Sequence, residues 1–83
     1  MPKYLDHHKM KAPLPPEKVK GAVEAIKSGK ANQFGVKALN GFAAKGEVWC
    51  YSEAPNVDSV CKTHEAMGMK IGKGDVKEVQ SFV

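Results

Sequence analysis

At 83 residues and 9.0 kDa the chain allows one domain, residues 1–83, and one core, in the size range where the surface buried on folding is barely sufficient without a metal, a disulfide or a partner chain. Thirteen lysines stand against nine acidic residues for a net charge of +4, and no arginine is present. The lysines are scattered among Glu and Asp, with no arginine fork and no interleaved aromatics, so the surface reads as solvated and excludes a nucleic-acid partner; no stretch is long and apolar enough for a membrane span.

Lys3 to Met10 reads as a strand, with Tyr4, Asp6 and His8 on one face and Leu5 and His7 on the other. Ala12-Pro13-Leu14-Pro15-Pro16 breaks it. Val19, Ala22, Val23 and Ile26 then repeat at i, i+3, i+4, i+7, which predicts an amphipathic helix closed near Gly29. Val36 to Ala44 and Glu47 to Glu53 are strand-like runs joined by Lys45-Gly46, a hairpin connection. Asn56 supplies an N-cap for a second helix over 57–67, whose stripe is Val57, Val60, Cys61, His64 and Met67, with Gly68 as its C-cap. Val76 to Val83 closes as a last strand.

The order βαββαβ predicts an α+β, ferredoxin-like fold: a four-stranded antiparallel sheet with two helices on one face. In the third strand Val48 and Cys50 point one way and Trp49 and Tyr51 the other, so both faces carry apolar bulk. A second copy of the chain packed against the open face would cover it, and a homodimer is therefore expected.

Chemistry is carried by three histidines, His7, His8 and His64. Imidazole is the commonest protein ligand for borderline metals and titrates near neutral pH. His64 falls on the apolar stripe of the second helix, where its ring nitrogens need partners; a backbone carbonyl would satisfy one of them. Taking the first and third strands as parallel neighbours beneath the second helix, the rise per residue sets His64 near the level of Asp6 to His8. Asp6 and His8 share a face, so His8 is the expected ligand beside His64, with Asp6 as co-ligand or as the acceptor that fixes its tautomer. His7 points to the opposite face and the subunit interface. Glu53, ending the third strand, is a further carboxylate in reach, or else one that stabilises the start of the next helix. Cys50 and Cys61 form no CxxC pair and read as buried free thiols in a reducing compartment, with metal ligation the lesser alternative. His64-Glu65 opens an HExxH look-alike, but position 68 is Gly and the second zinc ligand of that motif is absent.

The stretches MPKYLDHH, QFGVKAL, EVWCYSEAP, THEAMG and DVKEV, in this order and spacing, span nearly the whole chain. Together they resemble a family of small bacterial proteins of mostly unassigned function, some described as nickel-binding, which form ferredoxin-like homodimers. The resemblance implies metal binding by histidines near the dimer interface, here His8 and His64, with Asp6 and Glu53 beside them. The chain departs from that pattern at Glu24 and Lys27, where many relatives carry a histidine and an acidic residue, and at Pro15, where a threonine cap is usual.

The expectation is a cytoplasmic homodimer holding a divalent transition metal through imidazoles with carboxylate support, with nickel named by the resemblance. Two rivals are an enzyme of the dimeric ferredoxin-like barrel type, using His64 as acid or base in a cavity between sheet and helices, and an interaction module whose histidines only pack. The N-terminal Met-Pro-Lys-Tyr-Leu-Asp lacks the apolar run of a signal peptide, and the cytoplasm follows as the expected location.

Overall fold

The computed structural model describes residues 1–10, 13–80 and 82. Ala12 of the proline-rich break, and Ser81 and Val83 of the expected last strand, lie outside the described residues. The elements are β1 (Lys3–Lys9), α1 (Pro16–Ser28), β2 (Lys37–Ala44), β3 (Glu47–Glu53), α2 (Val57–Ala66), a 3-10 turn (Lys73–Asp75) and β4 (Val76–Val79). The sheet order is β2-β3-β1-β4, with every neighbouring pair antiparallel, which is the ferredoxin-like α+β fold.

One expectation is corrected here: β1 and β3 are antiparallel. In a split βαβ unit the crossover helix links two strands that are not neighbours, and the strand between them runs the other way. Here α2 carries the chain from β3 to β4, and β1 lies between those two. The register sets Lys3 against Glu53, Asp6 against Cys50 and Lys9 against Glu47.

Local signals account for the boundaries. Pro15 and Pro16 start α1, and Gly29, at φ 65°, ends it. A two-residue turn, Lys45-Gly46, joins β2 to β3, with Gly46 at φ 75°. Asn56 caps α2 by accepting a hydrogen bond from the Ser59 backbone N–H. At the other end of α2 the Gly68 N–H donates to the Glu65 carbonyl and the Met69 N–H to the His64 carbonyl, a Schellman closure that requires the left-handed backbone found at Gly68. The helix end that carries His64 is thereby held in place.

The buried apolar core consists of Tyr4, Val36, Ala54, Val60 and Val76, with Phe34, Val57, Cys61 and Ile71 packed on it. It lies between α2 and the sheet. The stripe of α1 is not buried: Val19 and Val23 are 43% and 41% exposed and only Ile26 is partly covered. The strand that α1 meets, β2, is mostly small or polar, Ala38, Asn40, Gly41, Ala43 and Ala44 making up most of its length. The two cysteines are free, and they are half-buried where buried thiols are expected. On the other face of the sheet Leu5, His7, Trp49 and Tyr51 are partly exposed and Phe42 is 54% exposed. No helix among the described residues is long and apolar enough to cross a membrane.

Two glycines give opposite expectations for the same substitution. Gly68→Ala introduces a side chain at φ 80° and should lower stability by about 1 kcal/mol. Gly21→Ala, inside α1 with open space around it, should raise stability by up to about 1 kcal/mol. Urea denaturation of the two variants checks both signs.

Candidate metal centre

Period-2 alternation along β1 turns Tyr4, Asp6 and His8 toward α2, and all three are buried. Cys50 lies directly opposite Asp6 on β3 and shares its face. His64 descends from the last turn of α2 and is 4% exposed. Asp6, His8, Cys50 and His64 each offer one ligand atom, and the four atoms lie within 4.8 Å of one another. Such a group could hold a metal ion.

The His64 tautomer follows from one contact. Its Nδ1 lies 2.8 Å from the Val60 carbonyl oxygen, which can only accept, so Nδ1 carries the proton. In the neutral ring Nε2 is then a bare lone pair, and it faces Asp6 Oδ1 at 3.2 Å. The same Oδ1 lies 2.8 Å from His8 Nε2, and His8 Nε2 lies 3.5 Å from Cys50 Sγ. The rings of His8 and His64 are tilted by 47° with centroids 4.7 Å apart.

These distances are short, yet both Asp6 oxygens, His64 Nε2 and His8 Nδ1 are buried without a hydrogen-bond partner of acceptable geometry. A carboxylate taken fully out of water without hydrogen bonds costs several kcal/mol unless a cation sits beside it. Two species can supply that cation, an imidazolium or a metal ion. Tetrahedral bonds of about 2.0–2.3 Å place donor atoms roughly 3.3–3.8 Å apart, and the contacts here fall on both sides of that spacing. The Nδ1–H of His64 on a backbone carbonyl is also the outer contact that orients a ligating imidazole and raises its basicity.

In the metal-free protein the charges settle among themselves. Asp6, supported by Cys50, raises His8 from 6.5 to about 9, against burial. Burial opposes charge on His64 too, but Asp6, Cys50 and the Val60 carbonyl together raise it to about 10. Burial works against ionised Asp6, yet His64 and His8 outweigh it and hold its carboxyl below the usual range. Cys50 follows the same pattern, with the two histidines lowering its thiol despite burial.

The structure gathers Asp6, His8 and His64 and leaves the other two expected residues elsewhere. His7 lies on the opposite face, its ring stacked on Trp49 at 5.0 Å and its Nε2 3.0 Å from Glu47 Oε1. Glu53 shares the face of Trp49 and Tyr51 by alternation, so it cannot join Cys50 and Asp6; it sits between Lys3 and Lys37 in the ladder. Cys50 is the member that strand alternation alone leaves unplaced. A signal for it exists: β1 is a seven-residue run with lysine at both ends and β3 a seven-residue run with glutamate at both ends. Pairing those charges sets centre against centre, Asp6 against Cys50.

A Cys50-His8-Asp6 relay is not formed. In such a relay the imidazole takes the nucleophile's proton on one nitrogen and is oriented through the other. Here His8 Nε2 faces both Asp6 and Cys50, and Nδ1 faces neither. An open pocket of about 290 Å³ is lined by Leu5, His7, Trp49, Gly74, Asp75 and Lys77, on the other side of the sheet.

No protein-family profile matches the chain, and no curated protein matches it. Among solved structures it is similar to the crystal structure of SCO4226 from Streptomyces coelicolor A3(2), with a TM-score of 0.72 and 23% identity over 98% of this chain and 99% of that one. That likeness shows the fold.

The raised histidines give a pH dependence of definite sign. A raised folded pKa contributes stability that is complete below the unfolded value of 6.5 and is lost as pH rises through about 9 to 10. Metal-free protein in chelator should therefore unfold at lower urea concentration at pH 9.5 than at pH 6. Asp6→Asn should flatten this slope, because the carboxylate that raises both imidazoles is gone.

Proposed function

We propose that the chain is a cytoplasmic, homodimeric metal-binding protein that holds a divalent transition ion with His8, His64 and Asp6. One observation carries the reading: His64 is held through its Nδ1–H on the Val60 carbonyl, so its Nε2 is turned to a fully buried carboxylate that also meets the second imidazole. An ion at that point would satisfy donors that otherwise face one another unpaired. Imidazole and carboxylate accept nickel, zinc, copper and iron alike, and affinity order alone selects none of them in a cell. Nickel is the first to test because of the family resemblance.

The dimer rests on the open side of the sheet. Leu5, Trp49, Tyr51 and Phe42 form a partly exposed apolar face, and among the described residues the buried apolar core counts five. A second copy laid on that face supplies burial that the chain alone lacks, and it brings His7 toward its symmetry mate.

Protein purified without an affinity tag should retain metal, or take up nickel at a fixed ratio per chain. His8→Ala and His64→Ala should each weaken binding at least tenfold, and His7→Ala should leave it within a few fold. Equal nickel retention by His8→Ala, His64→Ala and the double variant, measured by equilibrium titration, removes the site. Ligating imidazoles must give up their protons, so affinity should fall with falling pH, opposite in sign to the stability trend of the metal-free protein.

Sedimentation equilibrium at micromolar concentration should give twice the 9.0 kDa chain mass. Trp49→Asp should shift the protein toward monomer by burying a charge at the contact. A wild-type monomer under those conditions overturns the sheet-to-sheet dimer.

A further inference from the structure

We infer that Cys50 is the fourth donor of this centre, binding as a thiolate and closing a two-histidine, one-aspartate, one-cysteine site with no position left for substrate. The inference rests on the metal-binding reading and extends it to the coordination sphere and the class of ion.

Placement comes first. Cys50 is the direct cross-strand partner of Asp6, so the geometry of the sheet, not a mobile loop, sets its sulfur over the cluster. Its Sγ lies 3.5 Å from His8 Nε2 and within 4.8 Å of every other donor atom. The atoms it faces are buried and unpartnered: Asp6 is fully buried with both oxygens unpaired, and His64 Nε2 has no hydrogen-bond donor. The cysteine is therefore one wall of a site whose other walls already point at a common centre.

Two neutral imidazoles and one carboxylate around a divalent ion leave a net charge of +1 in a buried place. A thiolate brings the total to zero, and a buried site favours neutrality because each uncompensated charge there costs several kcal/mol. Loading then displaces the Cys50 thiol proton to solvent, together with any proton held by the imidazoles, and no redox step is involved.

Four protein donors also decide what the site is for. Catalytic centres keep three protein ligands and an open position, whereas a closed four-donor set holds its ion. Thiolate and imidazole select cobalt, nickel, zinc and copper and exclude magnesium and calcium, which take oxygen ligands. The geometry thus points to a holding site for a borderline ion and away from metal-assisted hydrolysis.

Cobalt(II) tests this directly, because thiolate ligation gives a sulfur-to-cobalt charge-transfer band in the near ultraviolet and tetrahedral coordination gives intense visible bands. The wild-type protein should bind one Co²⁺ per chain with both features. Cys61→Ser should keep them. Cys50→Ser should lose the charge-transfer band and bind Co²⁺ at least tenfold more weakly, while magnesium competes with neither. Wild-type protein that binds one Co²⁺ per chain without the charge-transfer band overturns the role of Cys50 and leaves the three-donor reading standing. A band that survives Cys50→Ser does the same. Wild-type protein that takes neither Co²⁺ nor Ni²⁺ overturns both readings, and the band is read on wild type, so the test does not depend on any variant folding.

Discussion

A carboxylate with no exposed surface, set between two imidazoles, is the constraint around which the rest of this protein is arranged. Asp6 cannot stay ionised there without a compensating positive charge. Either the imidazoles carry the compensating charge or a metal ion does. Both solutions hold α2 against β1, because one imidazole belongs to each. The polar cluster thus acts as a second core beside an apolar one of five residues.

The fold serves this cluster by fixing each donor on regular structure. Asp6 and His8 are two residues apart on the central strand β1, Cys50 is delivered by its central neighbour β3, and His64 sits where the Schellman closure locks the end of α2. No donor comes from a loop. The four candidate donor atoms already lie within 4.8 Å of one another, so drawing them into one coordination sphere would ask for small shifts only.

Burial is uneven across the molecule, and the unevenness has consequences. The half of the sheet under α2 is covered, whereas α1 keeps Val19 and Val23 exposed and the outer face keeps Phe42, Trp49 and Leu5 partly open. A domain this short cannot cover both sheet faces with two helices that pack on one of them. His7 belongs to this outer region; its stacking on Trp49 and its contact with Glu47 tie it to the sheet surface and not to the centre.

Local pattern alone determined much of this protein. Hydrophobic period, the proline start of α1, the Asn56 cap and the Lys45-Gly46 turn set most elements to within a residue or two, and the order βαββαβ carried the fold class; the last strand, expected from Val76 to Val83, ends at Val79, with the described Gln80 and Phe82 outside it. Alternation on β1 paired Asp6 with His8 and set His7 apart, and helical spacing placed His64 on the buried face of α2. The same alternation on β3 separates Glu53 from Cys50, although its place at the end of the strand beside β1 puts it in expected reach. The tertiary structure decided the strand direction and selected, among possible registers, the one that the charged ends of β1 and β3 favour and that places Cys50 against Asp6. Those depend on pairing between segments some forty residues apart, where the free energy is spread over a whole ladder and no single residue announces its partner. The tautomer of His64 likewise awaited the fold, because a ring nitrogen's proton is set by what lies across from it, here the carbonyl of Val60 on one side and the carboxylate of Asp6 on the other.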